Sequence, residues 1–112
     1  MAVVFINHTK EALTAEQAAR AKALEIIGGK AESYAKKLCP VDTGRLRNSI
    51  THQQYDENTE VIGTNVEYAP YVELGHYTAS GSEVAAKPFL RPAAENHTAE
   101  YKHILERVMK NA

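Results

Sequence analysis

One cysteine, no tryptophan, four prolines and six glycines in 112 residues leave several protein classes without support. A lone Cys39 cannot close an intramolecular disulfide, which excludes a disulfide-stapled scaffold. Lacking a C-x-x-C partner, it reads as a buried or incidental thiol rather than a nucleophile. Neither sign of charge is in excess: 13 Lys and Arg stand against 14 Asp and Glu, a formal net charge of −1. A protein whose task is to grip nucleic-acid phosphates carries a clustered basic surplus, and none is present. The near-neutral balance also does little to oppose self-association. No apolar run approaches the length of about 18 residues that suggests a membrane span, so no membrane partner is expected. No basic stretch followed by an apolar run opens the chain, and synthesis inside the cell is the expectation. Internal repeats and low-complexity tracts are missing too. The length fits one domain, 1–112, able to bury roughly two-thirds of its unfolded surface.

What the chain does have is residues 40–50, PVDTGRLRNSI, around which the rest is arranged. Pro40 lacks an N–H and disfavours the helical conformation at Cys39, so the Ala-rich helix before it should stop at about Leu38. Asp42 and Thr43 can accept hydrogen bonds from the backbone two residues on, and Gly44 can take positive φ. Together they specify a tight turn between a helical and a β part. Before the turn, residues 2–6 (AVVFI) suit an edge strand of the same domain, or an arm docking on another subunit. Thr14 with Gln17 resembles a capping box, with Thr9 as an earlier start. Leu24, Ile27, Ala31, Tyr34 or Ala35, and Leu38 recur at helical spacing as a buried stripe. Gly28-Gly29 interrupts it and marks a bend or a place where another backbone packs closely.

After the turn, Leu46 to Ile50 fits a brief helical turn, and residues 49–65 read as a β-hairpin around Asp56-Glu57-Asn58-Thr59. Ile50, Tyr55, Val61 and Val66 are the expected inward residues, and Gly63 admits a bulge or a close neighbour. Tyr68, Tyr71, Val72 and Leu74 crowd around Pro70 and fit a short helix that Gly75 ends. Its tyrosines are either core or an interface, where such side chains are enriched. Residues 76–87 read as an exposed loop. Pro92 is placed to open a last helix with a stripe of Ala94, His97, Tyr101, Ile104, Leu105 and Val108.

No constellation supports catalysis or a metal. His97 and His103 are six apart, not at the i, i+4 spacing of helical zinc sites. Gly28-Gly29-Lys30 lacks the rest of a phosphate loop, and no Gly-x-Ser-x-Gly elbow occurs. Asp42, Glu67 and Glu73 could cluster, yet no acid/base partner is evident. Arg45, Arg47 and Arg91 are expected to face Asp42 and Glu73, since guanidinium-carboxylate pairs lock a turn or a subunit contact in register. No catalytic residue, cofactor or metal is expected.

Three ordered pieces, Pro40 to Ile50, Val66 to Gly75 (VEYAPYVELG) and Lys87 to Ala93 (KPFLRPA), resemble a known family. It is the tail-component family of long-tailed double-stranded-DNA bacteriophages, also called head-tail joining or tail-completion proteins. In that family the pieces recur as a "PvDTGrLr-Si" turn, a "Y-pYvE-GT" segment and a "PFL-PA" segment. His76 stands where the family usually has Thr, and the loop after it differs. The resemblance implies a structural motif of Pro40, Asp42, Thr43, Gly44, Arg45, Leu46, Gly75 and Pro88. Tyr68, Tyr71, Glu73, Tyr77 and Arg91 are the candidate contacts to a subunit or partner. It further implies a ring, commonly sixfold, at the head-proximal end of the tail, in contact with the tail-tube protein and head-completion or connector proteins. DNA would pass through without sequence recognition. Assembly would take place in the bacterial host cytoplasm. The expected fold is α+β: a small antiparallel sheet (hairpin about 49–65 plus short strands) packed by a long N-terminal and a C-terminal helix. Two other readings stay open: a small monomeric protein-binding adaptor using the Tyr-rich segment, and a minor hydrolase using His76 and Glu73.

Overall fold

Alternating and helical periods settle into a three-stranded sheet with a long helix laid across one face. The computed structural model describes residues 2–7, 17–41 and 43–111, with residues 2 and 5–7 described by backbone alone. Strand β1 (Ala2–Asn7) is followed by helix α1 (Gln17–Leu38), the one-turn helix α2 (Arg45–Ser49), and the hairpin of β2 (Thr51–Asp56) and β3 (Thr59–Thr64). All pairings are antiparallel in the order β1-β3-β2, so the N-terminal strand is an edge strand of the domain's own sheet.

Helix α1 stops where Pro40 requires, its last turn closed by the Cys39 N–H donating to the Ala35 carbonyl at 2.9 Å. Lys36 and Lys37 in that turn complement the helix dipole. The capping candidates Thr9 and Thr14 lie outside the described residues. Leu24, Ile27, Ala31 and Ala35 are fully buried as the periodicity requires, but Leu38 is 47% exposed. The chain leaves the helix there, and Cys39 takes the buried place instead. Helix α1 runs unbroken through the Gly28-Gly29 pair, and the atoms nearest to Gly28 are side-chain ones. A Cβ on Gly28 would lie 2.5 Å from Glu60 Oε2 and 2.6 Å from His52 Nδ1, so that glycine makes room for two side chains of the sheet.

The strand phase differs from the sequence expectation by one residue. Glu60, Ile62 and Thr64 face α1 and are buried, whereas Val61 is half-buried and Tyr55 is 68% exposed on the opposite face. A slip of one residue exchanges the faces of a strand, and here a polar residue, Glu60, takes an inward place that an apolar pattern assigns elsewhere. Glu60 Oε2 meets His52 Nδ1 at 2.8 Å, and Glu32 Oε1 lies 4.0 Å from His52 Nε2. Burial pushes the Glu60 carboxyl up, and the contact with His52 opposes that shift. Gly63 pairs regularly with Val3 and Thr51; the register shift falls between Gln54 and Asp56. Ile50 and Val66, just outside the strands, are buried as expected.

Helix α3 (Ala69–Leu74) carries Pro70 in its first turn and ends at Gly75, whose φ of 80° only glycine tolerates well. The stretch read as a loop contains a small hairpin, β4 (His76–Tyr77) and β5 (Glu83–Val84), its turn closed by the Thr78 N–H on the Ser82 carbonyl at 2.8 Å. The last helix is two: α4 (Leu90–Glu95) and α5 (Thr98–Lys110). Pro92 is the third residue of α4 rather than its first. The stripe on α5 is as expected, with Tyr101 and Leu105 buried and Ile104 and Val108 half-buried against the core. Tyr34 of α1 stacks on His97 with ring centroids 3.6 Å apart and hydrogen-bonds the Glu100 carboxylate, joining the two long helices. The result is a mixed α/β fold, a small antiparallel sheet with a long N-terminal and a C-terminal helix.

Candidate functional site

The turn that organises the sequence begins with Pro40, half-buried, and leads into α2. Thr43 Oγ1 accepts from the Arg45 N–H at 3.3 Å, and Gly44 sits at φ 86°, ψ −3°. The Gly44 carbonyl accepts the first bond of α2, from the Asn48 N–H at 2.9 Å, and Leu46 is buried beneath. Asp42 lies outside the described residues. A Cβ at Gly44 meets nothing closer than Asn48 Nδ2 at 3.4 Å, so the demand for glycine comes from φ rather than from crowding. Gly44→Val is therefore expected to lower stability by about 1–3 kcal/mol. A denaturant midpoint equal to that of the parent would refute it.

Arg45 then reaches across to the segment before α3. Its Nη1 and Nη2 donate to Glu67 Oε1 and Oε2 at 3.2 and 3.0 Å, a two-pronged pair, while the guanidinium carbon lies 5.5 Å from the Tyr68 ring centre. The pair holds the Glu67 carboxyl below its ordinary range and raises Arg45. Both side chains are exposed, so the value of the pair is geometric: it fixes the turn against α3.

Glu73, near the other end of α3, does the same to the next segment. Its Oε1 accepts from the Phe89 and Leu90 N–H groups at 3.0 and 2.9 Å, and Oε2 from the Arg91 N–H at 3.1 Å. Orphan N–H groups at a helix start need an acceptor, and α4 has no capping side chain from its own flank. Glu73 supplies it from 16 residues earlier. That explains why α4 begins at Leu90 and not at Pro92. Pro88, exposed, leads directly into Phe89, which is fully buried.

The three sequence pieces are thus tied in series, the first to the second by Arg45–Glu67 and the second to the third by Glu73. Neither link follows from local sequence. Among the described residues Arg91 comes within 3.9 Å of Glu95, and Glu73 takes backbone donors instead of the expected guanidinium. One signal was available for the second link: PFLRPA opens a helix without a Ser, Thr, Asp or Asn to cap it.

Tyr68 is half-buried, while Tyr71 is 58% exposed, which removes Tyr71 from the core. Leu74 and Tyr77 are more exposed still. The Tyr71 ring lies 5.6 Å from that of His76. A hydrolytic pairing of His76 with Glu73 conflicts with the three backbone donors that occupy the Glu73 carboxylate. Cys39 is buried, its Sγ 3.4 Å from the Pro40 carbonyl, and burial pushes its thiol up, away from nucleophilic character. No group of three or more His, Cys, Asp or Glu among the described residues is placed to hold a metal. No helix among them is long and apolar enough to cross a membrane.

Exposed apolar side chains on a helix braced at both ends are the equipment of a structural, contact-making protein, and comparison with known families gives that class a setting in the phage virion. Residues 6–75, more than half of the chain, match the HK97-gp10-like family, described as "Bacteriophage HK97-gp10, putative tail-component". The chain belongs to this family of bacteriophage tail components. The matched span ends at Gly75, so the β4–β5 hairpin, α4 and α5 lie beyond it. Neither the curated proteins nor the solved structures include a match to this chain.

Proposed function

We propose that the protein completes the phage tail and joins it to the head as a ring of identical subunits, commonly six, at the head-proximal end of the tail. Its partners are further copies of itself, the tail-tube protein and head-completion or connector proteins, and DNA passes through without sequence recognition. Assembly takes place in the host cytoplasm. The observation that carries this reading is the outward face of α3: Tyr71 and Leu74 are exposed on a helix held from both sides by Arg45–Glu67 and by Glu73. Preorganised aromatic side chains at low entropic cost are what a repeated protein contact uses. The near-zero net charge supports a protein contact over a phosphate-binding role.

The test replaces Tyr71 alone, because Glu73 is committed to α4. Tyr71→Asp is expected to keep the parent circular dichroism and lose ring formation, seen by sedimentation and electron microscopy. It should also fail to rescue a phage lacking the protein. A folded Tyr71→Asp protein that still assembles and joins heads to tails overturns the reading. A parent protein that restores phage yield while remaining monomeric, alone and on tail tubes, favours the adaptor.

A further inference from the structure

Between α1 and the sheet lies a carboxylate that a purely contact-making protein does not need. Glu60 is buried on β3, and α1 passes over it at Gly28, where no side chain stands between the helix backbone and the carboxylate. Its Oε2 meets His52 Nδ1 at 2.8 Å, whereas its Oε1 has no hydrogen-bond partner among the described residues. The imidazole continues the line outward. Its Nε2 lies 4.0 Å from Glu32 Oε1, and the other oxygen of Glu32 is held by Lys36 Nζ at 3.0 Å. His52 and Glu32 are both partly exposed, so the three groups run from water to a buried acid.

The surroundings do little to stabilise a negative charge there. Glu25, also on α1, sets its own charge against that of Glu60. Arg20, buried near the start of α1, donates through Nη1 to Asn58 Oδ1 at 2.7 Å. The cross-strand partners of Glu60 are Gln54 and Ile6, neither of which titrates. On α4, Arg91 and Glu95 are exposed and lie 3.9 Å from each other. An ionised Glu60 thus has carboxylates on the helix above it and an imidazole beside it. A free imidazole ordinarily gives up its charge at about pH 6.5. Once the ring is neutral, an ionised Glu60 is a buried charge without its counterion, a costly arrangement.

We propose that Glu32, His52 and Glu60 form a proton-operated clamp between α1 and the sheet, closed while a proton resides on the His52–Glu60 pair and loosened when it leaves. With that proton the pair is either imidazolium beside carboxylate or imidazole beside carboxylic acid, and both are compensated. Without it, the repulsion of Glu60 by Glu25 and Glu32 acts across the line where α1 rests on β3. Burial pushes the Glu60 carboxyl above its ordinary range, the contact with His52 opposes this, and Glu25 adds to it. The folded chain therefore keeps a proton that the unfolded chain has released. The stability it contributes is full below the ordinary carboxylate range and is lost as pH rises through the raised folded value. This does not depend on the ring reading.

Urea unfolding of the full chain from about pH 5 to about pH 8 tests it, a range that runs from above the ordinary carboxylate value to beyond that of imidazole. Glu60→Gln keeps the shape of the side chain and removes the titration. Over that range the unfolding equilibrium constant of the parent is expected to rise about tenfold or more beyond that of Glu60→Gln. A variant that is merely destabilised shifts its whole profile without changing the slope. The second readout needs no variant: carbon NMR of the parent should show the Glu60 carboxyl titrating above the ordinary carboxylate range, with the His52 ring signals responding at the same midpoint. A Glu60→Gln profile at least as steep as that of the parent overturns the inference. So does a Glu60 carboxyl that titrates in the ordinary carboxylate range or below it.

Discussion

Gly28→Val is expected to cost about 3–5 kcal/mol, a large part of the stability of a domain this size. The position is buried in the middle of α1, where a Cβ would lie 2.5 Å from Glu60 Oε2 and 2.7 Å from Glu60 Cγ. Glu60 cannot swing clear, being 1% exposed and held at 2.8 Å by His52. Relief requires either that α1 lift from the sheet or that the carboxylate lose its contact with His52, and the second leaves a buried charge without compensation. Gly29 next door is the control. Its Cβ would meet only His52 Nε2 at 3.9 Å, an ordinary contact. Gly29→Ala should therefore gain about 0.5–1 kcal/mol from helix propensity. Urea unfolding of the two variants decides it: midpoints moving in the same direction would show that Gly28 is not the seat of the Glu60–His52 pair.

That pair shows where local reading of the sequence reaches and where it stops. Pro40 ending α1, Gly44 at positive φ, Gly75 ending α3 and the Tyr101–Leu105 stripe of α5 were all legible, because each is decided by the residue itself or by neighbours three or four positions away. The phase of β3 was not. Val61 and Ile62 are both apolar, so the pattern alone leaves the phase open; Ile62 and Glu60 face the helix, where Gly28, 32 residues before Glu60, leaves room for the carboxylate. The β4–β5 hairpin was hidden for another reason: Thr78 to Ser82 is made of small polar residues that serve a loop as well as a tight turn. At the candidate site the residue types and the exposed tyrosine were readable, whereas the partners were not. Arg45 spans 22 positions to Glu67 and Glu73 spans 16 to Phe89, distances at which no local period carries information.

Glu73→Ala is expected to lose about 2–4 kcal/mol, because it strips acceptors from three consecutive N–H groups at the start of α4. Phe89 and Leu90 are buried, so water cannot simply replace the carboxylate at their amides. The damage should spread. Phe89, Leu90, Ala93 and Ala94 all belong to the core that α1 and α5 complete, and loosening α4 withdraws them together. Glu73→Gln separates the acceptor from the charge. Its carbonyl oxygen can keep the Phe89 and Leu90 N–H groups, but its amide then faces the Arg91 N–H donor to donor, so a smaller loss, about 1–2 kcal/mol, is expected. Hydrogen exchange resolved at residues 89–91 reads this directly. Faster exchange at those three amides under conditions where β3 stays protected shows the cap failing locally, and a matching fall in the denaturant midpoint shows that α4 carries the core with it. Parent-like exchange in the Ala variant would mean that another acceptor serves α4. In that case the link between the second and third pieces of the motif would not depend on Glu73, and its carboxylate would be available for a contact between subunits.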